Sequence, residues 1–163
     1  MGLALREDGG GGGMGLVERR QVHEAQGRTV APMPLVPTVS AALAIEQFGT
    51  VAQREAWLPG VTDGSIVLTT ALQEYGNDDV ENPYMAAPEA DGTWSLTGVK
   101  VMVEFADNEQ GILVAPRTPN GPAMCPVATT ATGHTHGAGL ALRREPYHNW
   151  PPEATPPHAP ATG

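Results

Sequence analysis

One cysteine, Cys125, stands in a chain of 163 residues, so no internal disulfide can form and a reducing, cytoplasmic setting is expected. Basic side chains are scarce as well: Lys and Arg number 9 against 18 Asp and Glu, for a net charge of −9. That excludes a nucleic-acid footprint and docking on an anionic membrane surface, both of which need clustered positive charge. No apolar run approaches the ~20 residues that span a bilayer. The first residues, Met1-Gly2-Leu3-Ala4-Leu5-Arg6-Glu7-Asp8, lack the basic region and apolar stretch of a secretory signal.

Glycine and proline, by contrast, are plentiful at 20 and 16, and ten of the prolines fall from Pro116 onward. In that part Ala128-Thr129-Thr130-Ala131-Thr132-Gly133 is low-complexity, and Pro151 to Gly163 has almost nothing to bury. Such a segment cannot offset its ordering entropy, so residues 125–163 are expected to form a disordered tail. Within it only Glu145-Pro146-Tyr147-His148-Asn149 resembles a strand entry. The run Gly9 to Gly13 has no strand before it and no Lys-Ser/Thr after it, so it reads as a flexible loop rather than a phosphate cradle.

Three helices are predicted ahead of a β-rich core. The first runs from Leu16 to Gln26 and is stopped by Gly27. The second, from Pro37 to Phe48, places Val39, Ala42, Leu43 and Phe48 on roughly one stripe. The third opens on Thr50-Val51-Ala52-Gln53, a capping box, and is expected to end near Leu58 before Pro59-Gly60. These helices are expected to pack together. From Ser65 the pattern turns to strands: Ser65 to Leu72, a hairpin around Asp91-Gly92, Lys100 to Val103, and Gly111 to Ala115. The expected class is α+β: helices on an antiparallel, sandwich- or barrel-like β-domain, divided as 1–64, 65–124 and the tail 125–163.

The residues offer little chemistry of their own. His134-x-His136 has the spacing of a metal pair, but Cys125 lies nine residues upstream and no carboxylate is near, so no metal site is expected. Asn77-Asp78-Asp79 lacks the calcium-loop pattern and reads as a solvated turn. Cys125 reads as a small apolar filler.

The order Phe48-Gly49-Thr50-Val51-Ala52-Gln53-Arg54, then Trp57-Leu58-Pro59 and Gly64-Ser65, resembles the linker between the helical and middle β-domains of the acyl-CoA dehydrogenases. Gly27-Arg28 followed by Pro32, Pro34 and Leu35 matches upstream; Leu96-Thr97-Gly98-Val99-Lys100, Ala106-Asp107 and Ile112 to Ala115 match downstream. The likeness covers roughly Gly13 to Pro119. It implies FAD-dependent α,β-desaturation of an acyl-CoA thioester, with Leu72, Gln73, Met102, Val103 and Glu104 as flavin-binding positions. Asn77 and Asp78 fall where the family contacts its acyl-CoA. The departures are plain. Gln73 replaces a hydroxyl residue, Tyr75 a proline, Met102 a tryptophan and Glu104 a threonine. The family's base is a Glu or Asp on a C-terminal helical bundle, so the resemblance places no catalytic residue among these 163. Three readings stay open: a portion of such an enzyme, a non-catalytic subunit completing a homo- or hetero-oligomer with related chains, or a product whose frame is disrupted after about Pro122.

Overall fold

Three α-helices precede ten short β-strands in a computed structural model that describes residues 5–6, 11–86, 89–90, 93–105, 110–130, 137–140 and 146–150. The expected α+β class holds.

Helix α1 spans Leu16–Thr29 and runs straight through Gly27, the expected stop. Its cap is Val30, whose φ of 50° is left-handed, a conformation that a β-branched side chain rarely tolerates. None of the side chains described in α1 is buried, so it does not join the packed helical core, contrary to expectation.

Helices α2 (Leu35–Phe48) and α3 (Val51–Asp63) do pack together. The expected capping box is present: Thr50 Oγ1 accepts from the Gln53 amide at 3.2 Å, and Gln53 Oε1 accepts from the Thr50 amide at 2.9 Å. Helix α3 then continues past Pro59 and Gly60 to a glycine cap, Gly64, at φ 86°. Proline removes one amide only. The last turn is held instead by burial of Val61 and by Thr62 Oγ1 donating to the Leu58 carbonyl at 2.9 Å.

The two helices sit on a mixed sheet of β1 (Leu68–Ala71), β5 (Gly111–Val114) and β8 (Cys125–Ala128). Strand β1 pairs with β5 in parallel, which corrects the antiparallel expectation; β5 pairs with β8 antiparallel. Alternation along β5 sends Leu113 into the helical core with Ala42, Ile45, Leu58 and Leu68. Ile112 and Val114 face a second core with Ala71, Met85, Leu96, Val103 and Val127. Burying each large aliphatic side chain stabilises by about 1.5–3 kcal/mol. Thr38 Oγ1 donates to the Leu68 carbonyl at 2.7 Å and ties α2 to the sheet.

The expected hairpin forms from β2 (Glu89–Ala90) and β3 (Thr93–Trp94). Strand β4 (Lys100–Glu104) is followed in order by β5, the hairpin of β6 (Arg117–Thr118) and β7 (Gly121–Pro122), then β8, β9 (Gly137–Leu140) and β10 (Pro146–Trp150). A second sheet has the order β4-β10-β9. Strands β8, β9 and β10 therefore stand where a disordered tail is expected, and β10 coincides with the Glu145–Asn149 strand-entry pattern. Among the described residues the sheets do not close into a barrel. Gly98 lets two segments touch, because a Cβ there would meet Met85 Cα at 2.7 Å. His134, His136 and residues 151–163 lie outside the described residues.

Candidate functional site

After Ala71 the chain leaves β1 as Leu72-Gln73-Glu74-Tyr75-Gly76-Asn77, and a buried ion pair holds this loop. Lys100, first residue of β4, is fully buried; its Nζ donates to Glu74 Oε1 at 2.8 Å and to the Leu72 carbonyl at 3.3 Å. Glu74 Oε1 also accepts from the Met85 amide at 2.8 Å, while Oε2 accepts from Asn77 Nδ2 at 3.1 Å and from the Tyr84 amide. The Val101 amide donates to the Gln73 carbonyl at 2.9 Å. Burial works to raise the Glu74 carboxyl, but the hydrogen bonds from Lys100, Met85, Tyr84 and Asn77 together hold it below the usual carboxylate range. Burial draws Lys100 below its ordinary value against the opposing attraction of Glu74. The motif reading assigns neither residue a role. The available signal was a charged residue in each of two apolar strand contexts, Ala71-Leu72-Gln73-Glu74 and Leu96-Thr97-Gly98-Val99-Lys100.

Held in this way, Leu72 and Gln73 line one cleft with Met102 and Glu104 of β4. It encloses about 360 Å³, and Val36, Pro37 and Ser40 of α2 form its other side. Leu72 and Met102 stay 38% and 52% exposed, apolar groups without cover. Met102 adopts φ 57°, which costs a non-glycine residue on the order of 1–3 kcal/mol. The β4–β10 register shifts between His148 and Trp150, so Val101 and Met102 both lie opposite Asn149, as in a β-bulge. Bulges of this kind re-aim side chains beside binding sites.

Other expected site residues fall elsewhere. The Val103 side chain is 1% exposed and packs in the β-core, so only its main chain is left to serve the cleft. Asn77 is occupied within the turn: it donates to Glu74 and to the Asn82 carbonyl, and accepts from the Asp79 amide. Asp78 is exposed, and neither Asn77 nor Asp78 lines the cleft.

The donor set fits a flavin ring. Gln73 offers an amide donor and acceptor for the ring edge, and Leu72 and Met102 offer apolar cover. Glu104 fits less well: it has a partner of its own, yet a carboxylate opposes the gain of negative charge beside it. No Lys or Arg lines the cleft, so the pyrophosphate of FAD would be held by other groups. Cys125 is inert, its thiol pushed up to about 11 by burial. Among the described residues no three His, Cys, Asp or Glu form a metal-binding group, and no helix is long and apolar enough to cross a membrane.

A helical unit on a mixed β-unit, with an open cleft where they meet, is the arrangement of the helical and middle β-domains of flavin-dependent dehydrogenases of CoA thioesters. The chain belongs to the acyl-CoA dehydrogenase family. Residues 1–65 match the model of the acyl-CoA dehydrogenase N-terminal domain. Acyl-CoA dehydrogenase FadE12 of Mycobacterium tuberculosis is 32% identical over 146 residues, 83% of this chain and 37% of that protein. FadE27 of the same organism is 33% identical over 132 residues, 80% of this chain and 34% of its own. Among solved structures, the Tcur3481-Tcur3483 steroid ACAD G363A variant is 41% identical with a TM-score of 0.89, over 95% of this chain and 43% of that one. The ChsE4-ChsE5 complex from Mycobacterium tuberculosis is 26% identical with a TM-score of 0.84, over 94% and 41%. The chain thus spans just over a third of the length of the curated relatives it matches.

Proposed function

We propose that this chain supplies one wall of an FAD and acyl-CoA cleft in a dehydrogenase that desaturates acyl-CoA thioesters between the α and β carbons. The observation that carries the reading is the single cleft gathering Leu72, Gln73, Met102 and Glu104. FAD, when bound, supplies the hydride acceptor. Gln73 would hydrogen-bond the ring edge, Leu72 and Met102 would cover the ring and exclude water, and Val103 would contribute main-chain groups alone. The Glu74–Lys100 pair fixes the carbonyls and loop that present these groups. Asn77 and Asp78 are given no part, because Asn77 is spent on the turn and both lie off the cleft. No residue here is assigned as the base.

The 41% identity to a steroid ACAD supports a ring-bearing acyl group as substrate. Two of the similar structures pair differently named chains, which supports a second reading: a subunit that completes its cleft in a hetero-oligomer. The lone cysteine favours a cytoplasmic setting.

Co-expression with a complete acyl-CoA dehydrogenase subunit tests the reading. Flavin occupancy of the purified complex is expected to fall in Gln73→Ala and in Met102→Ala, each by about fivefold in affinity. That is the scale of one neutral hydrogen bond or of partial apolar cover, ~1 kcal/mol. Unchanged occupancy in both variants would remove this cleft as the flavin site.

A further inference from the structure

We propose that a second cleft, past Glu104, receives the far end of the acyl group, and that His23 there selects acyl groups carrying a hydroxyl or keto oxygen. The inference rests on the reading above, which puts the reacting end beside Gln73 and Met102. The two clefts share Val36, Pro37 and Glu104, so one ligand can occupy both by passing along the first turn of α2. The second cleft encloses about 420 Å³.

Its walls are apolar and uncovered: Val30, Met33 and Val36 are 64%, 44% and 53% exposed. Together with Leu72 and Met102 they make one continuous apolar path, and exposed apolar surface of this extent marks a binding groove. The far wall is firmly built. Gln26 Nε2 donates to the Ala31 carbonyl at 3.2 Å and to the Met33 carbonyl at 2.6 Å, fixing the turn that carries Val30 and Met33.

One polar atom on this path lacks a partner. His23 Nε2 is buried and makes no hydrogen bond among the described residues. Buried ring nitrogens are normally satisfied, and an orphaned one is a vacancy for a ligand atom. According to its tautomer, an imidazole nitrogen donates to a keto oxygen or accepts from a hydroxyl. An apolar path ending at one such nitrogen fits a bulky apolar acyl group with a single distal oxygen better than a plain saturated chain.

The test uses the isotopically labelled 163-residue chain, titrated with three thioesters: a 3-oxo steroid carboxyl-CoA, its 3-deoxy counterpart and octanoyl-CoA. NMR signals of the His23 ring and the Gln73 side-chain amide report the two clefts separately. Gln73 is expected to shift with all three thioesters, and His23 with the oxygenated steroid alone. That steroid should bind about five- to tenfold more tightly than the deoxy compound, one hydrogen bond's worth. His23→Ala should erase the difference while leaving deoxy binding unchanged, and His23→Gln should retain part of it. A Gln73 shift without a His23 shift, or a preference that survives His23→Ala, overturns the inference and leaves the reading of the first cleft standing. Silence at Gln73 with every thioester overturns both.

Discussion

Lys100 loses its hydration shell on folding, and Glu74 with the Leu72 carbonyl is what replaces it. A buried pair of this kind gains little net stability, because desolvation offsets much of the attraction. Its consequence here is shape, since the same atoms position Leu72 and Gln73 at the cleft. Removing one partner is another matter. Lys100→Met leaves the Glu74 carboxylate buried without its cation, and a loss of about 3–5 kcal/mol is expected in chemical denaturation. The double variant Glu74→Gln/Lys100→Met should lose distinctly less than the sum of the singles, because the two side chains share one interaction. The pair also sets a pH dependence. Glu74 is held below its ordinary value when folded, so its stabilisation is complete above the unfolded value of about 4.3 and is lost as pH falls through the folded one. Between pH 6 and pH 3 the melting temperature of the parent chain should therefore drop more steeply than that of Glu74→Gln; parallel curves would exclude this carboxyl as the cause.

Helix ends show what the sequence makes legible. The Thr50–Gln53 box is readable because every partner lies within four residues, and it forms as expected. Thr50→Ala should cost about 1 kcal/mol of global stability, since α3 buries Leu58 and Val61 in the core. Val30 is the opposite case. Gly27 looks like the stop, yet α1 runs on and forces a β-branched residue to φ 50°. Val30→Gly should relieve that strain by about 1 kcal/mol. Because no described side chain of α1 is buried, the gain should appear as slower amide exchange within α1, with global unfolding almost unchanged. The strands divide in the same way. Leu68 to Ala71 and Gly111 to Val114 are legible as apolar runs, but no local pattern reveals that they pair in parallel. Strand β8 is missed because Cys125-Pro126-Val127-Ala128 has almost no pattern of its own, and it is the distant Ile112 that buries Val127. In the cleft, motif position locates Leu72, Gln73, Met102 and Glu104, whereas the Glu74–Lys100 bond spans 26 residues and no periodicity links its ends.

At the scale of the whole molecule the cleft is half a site, and an acidic one. FAD is a polyanion through its pyrophosphate, while the chain carries a net charge of −9. Among the described residues no Lys or Arg lines either cleft, and Lys100 is sealed in the interior. The chain alone therefore offers a flavin ring apolar cover and an amide, and offers the phosphates only repulsion. Binding by the isolated chain should be too weak to retain yellow flavin through gel filtration. Salt distinguishes the two contributions. The Debye length shrinks from about 30 Å at 0.01 M to about 3 Å at 1 M, so raising NaCl screens the repulsion and leaves ring contacts in place. Flavin fluorescence titrations should thus show FAD binding strengthen about two- to fivefold between 0.02 M and 0.5 M NaCl. Riboflavin, which has the ring but no phosphate, should change far less, and it corrects for any general salting-out of apolar surface. FAD binding that weakens with salt while riboflavin stays constant would mean that basic side chains do grip the phosphates. The cofactor's phosphate end would then lie against this chain, away from the two clefts.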